Sequence, residues 1–426
     1  MKTPVRTLAV LLLWQVISSV DLGAQIRPAQ DSIRNVRPSS IVFEPGLSME
    51  SGAANVVTAH RAIAKGEDRI VGNRWFPENT LSGKSGGMAL RFFKLFALDM
   101  PIDYFSAVLT HEYFGHGARY REFKISHVDY GFDMPPPYGA GGGQAAVDIP
   151  GTALSNHQLL AIWTGGLESH ALINRTLGMR WMAGKSINYR EASLYFWTWQ
   201  ISFNYINGSV NDLSLTENDP RAYVRIINAN AGFNNPDSLS MSLAYLQSRN
   251  RIGLLNPFLW FTLYTQLKTY LWDGNSSNRL PVIPVGDLGY LPSFRLGLTP
   301  FGPEYHFENF VSAYGRIVLV DFRLGDETFH RSWGGIGLYI QNFCDAGSAS
   351  FDVRLDFWQQ PRLDFGPVPI EHKGGGSGGA FAVRAFYPLA AAVAGVGEVG
   401  YKSVGFLEGF SLDASLIVGV GLAFNL

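Results

Sequence analysis

The sequence is poor in several features that would otherwise narrow its class. It has one cysteine, Cys344, so no disulfide can form within the chain. Its formal net charge is −1, which argues against nucleic acid as a partner. No stretch with helical periodicity contains a clean apolar run of about 18 residues, so membrane-spanning helices are not expected.

The remaining composition is apolar for a soluble protein. Charged residues make up 16% of the chain and aromatic residues 13%, and there are 47 glycines among 426 residues. This composition indicates a large surface that faces a membrane or is deeply packed. The length exceeds that of one typical domain, so we expect two structural units.

The first 24 residues are typical of a secretory signal peptide. Lys2 and Arg6 form a basic region, residues 8–20 an apolar core, and Ala24 a small residue before the cleavage point. An uncleaved membrane anchor is the alternative, although the apolar run is short for a span. Residues 25–88 are polar, contain Pro, Ser and Gly and lack strong periodicity, so we expect a mostly extended leader.

Helical periodicity starts near Met88 and predicts a helical domain over residues 89–285. Pro101 suits a first helical turn, and the helix that follows is expected to continue through His111 to about Arg121. A loop rich in Pro and Gly follows at residues 134–143. Further helices are predicted at about residues 155–182, 189–206 and 255–272.

The periodicity changes to two in residues 286–426, which is typical of strands. Alternating runs occur near residues 293–299, 304–311, 314–324, 334–342, 351–357, 379–387, 393–404 and 412–426. They predict an antiparallel meander of about eight strands.

The last run favours a membrane barrel over a soluble one. Its alternate residues from Leu412 to Leu426 are apolar, whereas the residues between them are mostly small. A barrel in a lipid bilayer places such an apolar face outward. With Phe424 near its end, the segment resembles the C-terminal strands of bacterial outer-membrane barrels. A soluble sandwich or lipocalin-like barrel is the alternative. The predicted fold class is therefore α+β, with a helical metal-binding domain followed by a β-barrel.

The motif with the clearest chemistry is His111-Glu112-Tyr113-Phe114-Gly115-His116. Zinc hydrolases commonly carry H-E-x-x-H, in which the histidines are four residues apart and share one helix face. A spacing of five turns a regular helix by about 500°, which would separate the two rings by about 140°. A local π-bulge would bring both rings to one face, and Gly115 would ease that distortion. We therefore predict a π-bulge at this motif.

The hexapeptide resembles the HExxGH zinc motif of the dipeptidyl peptidase III family, which also has Gly before the second histidine. In that family a glutamate some fifty residues later completes the zinc site. The resemblance implies Glu168, 52 residues after His116, as the third ligand. His111, His116 and Glu168 would then bind Zn²⁺, and Glu112 would act as the general base on a metal-bound water. The likeness is confined to this motif and to the position of one glutamate.

Other residues remain open as alternatives. His170 and then His157 could replace Glu168 as a ligand, and all the histidines could be structural. His127, Tyr130, Tyr138 and His170 are candidate hydrogen-bond donors to a developing oxyanion.

A second cluster competes with the motif. Glu304, His306 and Glu308 alternate, so a strand would place them on one face, either as a metal site or as polar residues in a barrel lumen.

Together these patterns favour an exported zinc metallopeptidase, associated with the outer membrane of a Gram-negative-type bacterium. Its partners would be protein or peptide substrates and the lipid bilayer. Lipid, amide or ester substrates are compatible with the same chemistry. The alternative is a non-catalytic outer-membrane barrel with a helical plug or assembly domain.

Overall fold

A computed structural model describes residues 39–70, 80–133, 142–147, 153–209, 218–230, 240–326, 332–367 and 370–424. The predicted signal peptide, residues 1–24, lies outside the described residues. The described chain is α+β, with a helical part and a large antiparallel sheet.

The helices of the described residues are α1 (Met49–Ile70), α2 (Leu81–Lys94), α3 (Met100–Leu109), α4 (Gly117–Glu122), α5 (Asn156–Gly184), α6 (Tyr189–Asn207), α7 (Asp219–Asn230), α8 (Leu243–Asn250) and α9 (Pro257–Tyr264). Segments of π-helix lie at Leu95–Asp99, Thr110–His116 and Thr265–Trp272, and a 3₁₀ turn at Arg251–Leu255. The first two π segments join α2, α3 and α4 into one continuous helix. The predicted helices near 155–182, 189–206 and 255–272 are confirmed.

The strands are β1 (Ser39–Phe43), β2 (Asp129–Phe132), β3 (Gly143–Ala146), β4 (Ser186–Asn188), β5 (Ser277–Arg279), β6 (Ile283–Val285), β7 (Leu288–Thr299), β8 (Gly302–Ala313), β9 (Arg316–Gly325), β10 (Gly334–Ala346), β11 (Ala349–Gln360), β12 (Leu363–Phe365), β13 (Glu371–Lys373), β14 (Gly376–Ala390), β15 (Val393–Lys402) and β16 (Ser415–Phe424). Ten of them form one antiparallel sheet in the order β1-β16-β15-β14-β11-β10-β9-β8-β7-β6. The eight long strands predicted from the alternation are all present, and β1 and β6 extend the sheet at its two ends.

The predicted closed barrel is wrong for the part of the chain that the structure describes. β1 and β6 are the two edges of the sheet and do not pair with each other. Instead, α5 packs on β7, β8 and β9, and α1 packs on β1. Helices therefore cover the face of the sheet that closure would have turned into a lumen.

The sheet has inverted polarity. Its inner face, toward the helices, carries buried charged side chains, among them Glu304, His306, Glu308, Arg323, Asp352, Asp356 and Lys402, each at most 4% exposed. Its outer face carries large apolar side chains such as Phe357, Phe381, Val399, Leu416 and Val420, each at least 50% exposed. Strict alternation produces this segregation because successive residues of a strand point to opposite faces.

Helix α5 is the centre of the helical part. Ser155 and Gln158 form a capping box at its start, and Lys185 ends it in the left-handed conformation, with φ 50°. Its C-terminal half packs Trp181 against Tyr195 and Phe258 in the main hydrophobic core, and Phe310 of β8 belongs to the same core. The apolar core thus joins α5, α6, α9 and the sheet.

The expectation of an extended leader over residues 25–88 is also wrong where the structure describes it. Residues Met49–Ile70 form α1, and α2 begins at Leu81. Met49, Ala53, Val56 and Val57 are spaced at helical intervals and are buried. Small residues between them, such as Ser51 and Gly52, dilute the pattern. No helix of the described residues is both long enough and apolar enough to cross a membrane.

Candidate metal centre

The H-E-x-x-x-H motif lies in a π-helical segment, as its spacing predicted. The segment is Thr110–His116, between α3 and α4. The wider turn brings the two imidazole rings together, with ring centroids 4.9 Å apart. His111, Glu112 and His116 are all buried, with 6–7% exposure.

Three glycines allow this segment to lie directly against α5. A Cβ added to Gly115 would be 2.6 Å from the Cα of Gly166, and one added to Gly165 would be 2.9 Å from the backbone of Gly115. A Cβ on Gly166 would lie 2.3 Å from the His111 ring. The two backbones can approach so closely only without side chains at these positions.

The residue that completes the cluster is Asp219, the first residue of α7. Its Oδ2 lies 3.1 Å from His111 Nε2 and 3.3 Å from His116 Nε2. His111, His116 and Asp219 together form a buried group whose ligand atoms all lie within 4.8 Å of one another. Two ligand atoms bound at about 2.1 Å to a tetrahedral zinc ion would be about 3.4 Å apart, so the spacing fits such an ion.

The ring orientations also fit a metal site. His116 Nδ1 is 2.7 Å from the backbone oxygen of Ile162 in α5, and this contact orients the ring so that Nε2 points to Asp219. Histidine ligands commonly hold their second nitrogen in this way. His111 Nδ1 is buried and has no hydrogen-bond partner among the described residues. The donor set of two imidazoles and one carboxylate is one that zinc accepts.

Electrostatic interaction within this group shifts the pKa values of His116 and Asp219 in opposite directions. Burial alone would lower the pKa of His116, but the Asp219 carboxylate outweighs burial and raises that pKa to about 9. Burial would likewise raise the pKa of Asp219, but His116 and His111 hold it well below its usual range. At neutral pH, a cation that binds here must therefore displace a proton from His116.

Glu112 faces a cavity beside the cluster. The cavity has a volume of about 350 Å³, and its walls include His111, Glu112, Gly143 of β3 and Tyr205 of α6. A Cβ added to Gly143 would lie 3.0 Å from Glu112 Cγ, so β3 passes directly over this side chain. The arrangement leaves room for a water and a substrate next to a carboxylate and a candidate metal.

Glu168, the third ligand that the motif resemblance implied, is engaged elsewhere. It lies on α5 and is 3% exposed. Its Oε2 accepts two hydrogen bonds, from Arg119 Nη2 at 2.6 Å and from the Gly409 N–H at 3.2 Å. Its Oε1 accepts a hydrogen bond from the Thr164 hydroxyl at 3.1 Å. Asp219, and not Glu168, is thus the carboxylate that lies beside the two histidines. The reason is geometric, because Arg119, only one turn beyond His116, captures the glutamate.

Neither substitute ligand enters the cluster. His170 is fully buried, and its nitrogens hydrogen-bond the Ala107 carbonyl and the Ser202 hydroxyl, both at 2.9 Å. Burial, followed by the neighbouring His111, lowers the pKa of His170 to about 3, so it is neutral and supports the His111 ring at 5.1 Å. His157 hydrogen-bonds Asp364 and Asn230 instead.

The residues predicted as hydrogen-bond donors to an oxyanion lie in different surroundings. His127 is exposed, and Tyr130 packs against Tyr113. Tyr138 lies outside the described residues. Tyr205, which the sequence did not single out, has its ring 5.8 Å from His111 and lines the cavity. Its hydroxyl accepts from the Asp219 N–H at 3.5 Å, which leaves the hydroxyl proton available for donation.

Asp219 was missed because nothing local marks it. It lies 103 residues after His116 and is one of 35 acidic residues. Asn218 and Pro220 beside it are ordinary helix-start residues. Its proximity to the histidines depends on the packing of α7 against α5, where Tyr223 and Ile227 join Leu160 in a second core.

The second cluster forms on the inner face of the sheet. His306 Nδ1 lies 3.1 Å from Asp321 Oδ2, and with Glu308 they form another group close enough to hold an ion. The prediction that Glu304, His306 and Glu308 share a face is confirmed, since all three are buried there. Arg295 lies among them, with Nη2 3.0 Å from His306 and Nε 3.1 Å from Glu308.

No family model, curated protein or solved structure matches this chain.

Proposed function

We propose that the protein is a zinc-dependent hydrolase, most consistent with a peptidase, whose site consists of His111, His116, Asp219 and Glu112. The single observation that carries this proposal is the buried triad with ligand-like spacing, next to a glutamate that faces a cavity. Glutamates adjacent to a metal-binding histidine serve as general bases in zinc peptidases.

The roles follow from the positions of the side chains. His111, His116 and Asp219 would hold the ion, which would polarise a scissile carbonyl and acidify a water. Glu112 would accept the proton of that water and pass it to the leaving group. Tyr205 would donate its hydroxyl proton to the oxygen that becomes negative. His170 and Ile162 would keep the two imidazoles in position.

Replacing Glu112 by Gln tests this proposal. We expect the purified Glu112→Gln protein to keep about one zinc per chain, because the triad is intact. Hydrolysis of fluorogenic peptide libraries should fall by about 10²–10⁴-fold, the usual contribution of a general base. A protein without zinc, or a variant with unchanged turnover, would instead support the alternative of a non-catalytic plug or assembly domain.

We further propose that the protein is exported and integrates into a bacterial outer membrane. The inverted polarity of the sheet supports lipid contact, because its outer face exposes apolar side chains while its charges are buried inside. In the helical part, α2 and α9 with their π extensions expose Phe92, Phe93, Trp260, Leu267 and Trp272, each at least 52% exposed. A group of large apolar side chains that are this exposed to solvent is typical of an interaction surface. The expected barrel would then be a partial one, completed by helices.

Lipid quenching tests the membrane proposal. In vesicles that contain brominated lipids, we expect fluorescence quenching that shrinks in a Trp260→Phe, Trp272→Phe double variant. Trp181 is fully buried, so Trp181→Phe is the matched control and should leave the amount of quenched fluorescence unchanged. A protein that stays monodisperse without detergent and is not quenched would contradict lipid contact.

A further inference from the structure

We propose that the free edge of β3 binds the main chain of an extended peptide, which adds to it as a third strand beside Glu112. This inference rests on the proposed hydrolase function and specifies how its substrate is held. Strand addition to an open sheet edge is a recurring mode of peptide recognition, since main-chain hydrogen bonds supply affinity for many sequences.

The register shows which groups of β3 are free. Gly143 lies opposite Phe132, and Gln144 lies opposite Gly131. The Asp133 N–H donates to the Gly142 carbonyl at 3.1 Å, so that position is a hydrogen-bonded pair. Hydrogen-bonded and non-hydrogen-bonded pairs alternate in an antiparallel ladder. The N–H and C=O of Gly143 therefore point away from β2, and no other strand of the described residues pairs with this edge.

The edge faces the cavity of the candidate site. Gly142 and Gly143 line the cavity together with Gln200, Ile201 and Asn204 of α6. His111 and Glu112 belong to the same lining. Gly143 and Gln144 are exposed. An extended chain that entered between β3 and α6 would pass directly over the candidate metal and the general base.

The absence of a side chain at Gly143 is required by this close approach. A Cβ there would lie 2.8 Å from Val108 Cγ1 as well as 3.0 Å from Glu112 Cγ. Glycine therefore brings the strand against Glu112, so a peptide residue paired with Gly143 would lie beside this carboxylate.

The usable edge is short. At the next outward-facing position, the Ala145 carbonyl already accepts a hydrogen bond from the Tyr120 hydroxyl at 3.1 Å. A bound peptide would thus exchange main-chain hydrogen bonds with Gly143 through one of its residues. The amides of the two flanking peptide residues would point away from β3.

Peptide N-methylation in the Glu112→Gln protein tests the inference without turnover. The probes are short fluorescein-labelled peptides that the unmodified protein hydrolyses, each N-methylated at one amide in turn, with Kd measured by fluorescence anisotropy. We expect one methylation to weaken binding about tenfold or more, or about 1.4 kcal/mol, and methylation of its neighbours to have little effect. Equal affinity across the series would overturn the inference.

A matched pair of variants gives a second readout on the protein side. Gly143→Ala and Gly143→Pro both introduce a Cβ, but only proline removes the N–H. We expect Gly143→Pro to bind the unmethylated peptide about tenfold more weakly than Gly143→Ala, with zinc content unchanged. Equal Kd values for the two variants would contradict hydrogen bonding of the peptide to the Gly143 N–H.

The two levels of the proposal fail in different ways. Peptide hydrolysis by the unmodified protein, combined with binding that ignores methylation, overturns strand addition alone. A zinc-loaded protein that neither hydrolyses nor binds any peptide overturns the peptidase function and strand addition together.

Discussion

Two clusters in this molecule offer similar ligands, and they differ in whether an arginine already contacts those ligands. His111, His116 and Asp219 lie beside a cavity, with no arginine in contact with their ligand atoms among the contacts of the described residues. His306, Glu308 and Asp321 have the same ligand types and burial, but Arg295 already bridges His306 and Glu308.

The difference teaches that ligand identity alone does not define a metal site. A guanidinium ion satisfies the same lone pairs that a cation would use. Arg295 also binds Glu408 at 2.7–2.8 Å, and Arg175 binds Glu408 as well. The second cluster is therefore part of an ion-pair network between the sheet, α5 and the loop before β16. In the first cluster, the Nε2 atoms of His111 and His116 lie 3.1 and 3.3 Å from the same Asp219 oxygen.

The largest expected effect separates the two clusters by zinc content. Asp219→Ala should lose the bound zinc, because two imidazoles alone are a poor site. Asp321→Ala is the matched control and should keep about one zinc per chain. Elemental analysis of both proteins, purified without chelators, makes the comparison. Zinc lost from Asp321→Ala and kept by Asp219→Ala would reverse the assignment.

The next effect concerns stability in the second cluster. Arg295→Met should destabilise the protein by on the order of 3 kcal/mol, because buried Glu308 and Glu408 lose one of the two arginines that they share and keep only Arg175. Zinc content should not change. Denaturant unfolding in detergent measures the loss. If added zinc restored the stability of the variant, the arginine alone would have kept a metal out of this cluster.

A smaller effect is expected from the glycine contact in the first cluster. In Gly166→Ala the added methyl meets the His111 ring, and we expect zinc affinity to fall by about 10–100-fold as the ring is displaced. Gly184→Ala lies on the same helix with no atom within 4 Å of its added Cβ. That control should bind zinc as the unmodified protein does. Competition with a chelating dye measures both; equal affinities would show that α5 does not position His111.

The smallest effect is a pH dependence. The folded pKa of His170, about 3, lies below its unfolded value of about 6.5, so below pH 6.5 the unfolded state binds more protons. Stability contributed by neutral His170 is therefore complete above about pH 6.5 and is lost as the pH falls toward 3. From pH 7 to 5.5 the loss should be about 1 kcal/mol.

His170→Gln should lose less stability than the unmodified protein over this pH interval when both are measured metal-free. Identical pH slopes for the two proteins would mean that His170 does not stay neutral in the folded state.

Much of this molecule was accessible from local pattern. Alternation from Leu291 to Phe424 identified the eight long strands, since a strand with one polar and one apolar face repeats every two residues. The five-residue spacing of His111 and His116, taken with the hypothesis that both rings bind one metal, predicted the π segment. The predicted helix boundaries for α5 and α6 agree with the structure to within two residues. The sequence did not predict helix α1, because small residues interrupt the apolar stripe on its buried face.

Long-range packing decided the rest. Whether the sheet closes depends on what covers its inner face, and α1 and α5 cover it. Glu168 and Asp219 are both buried acids, and which of them meets the histidines depends on Arg119 and on the docking of α7. By itself, the sequence determined helices α5 and α6, the eight long strands with their alternation, and the grouping of His111, Glu112 and His116, because each of these is encoded by spacing within a few residues. The approach of Asp219 to the two histidines, the open sheet and the position of β3 over Glu112 were decided only by the tertiary structure, because each depends on contacts between segments that are distant in the chain.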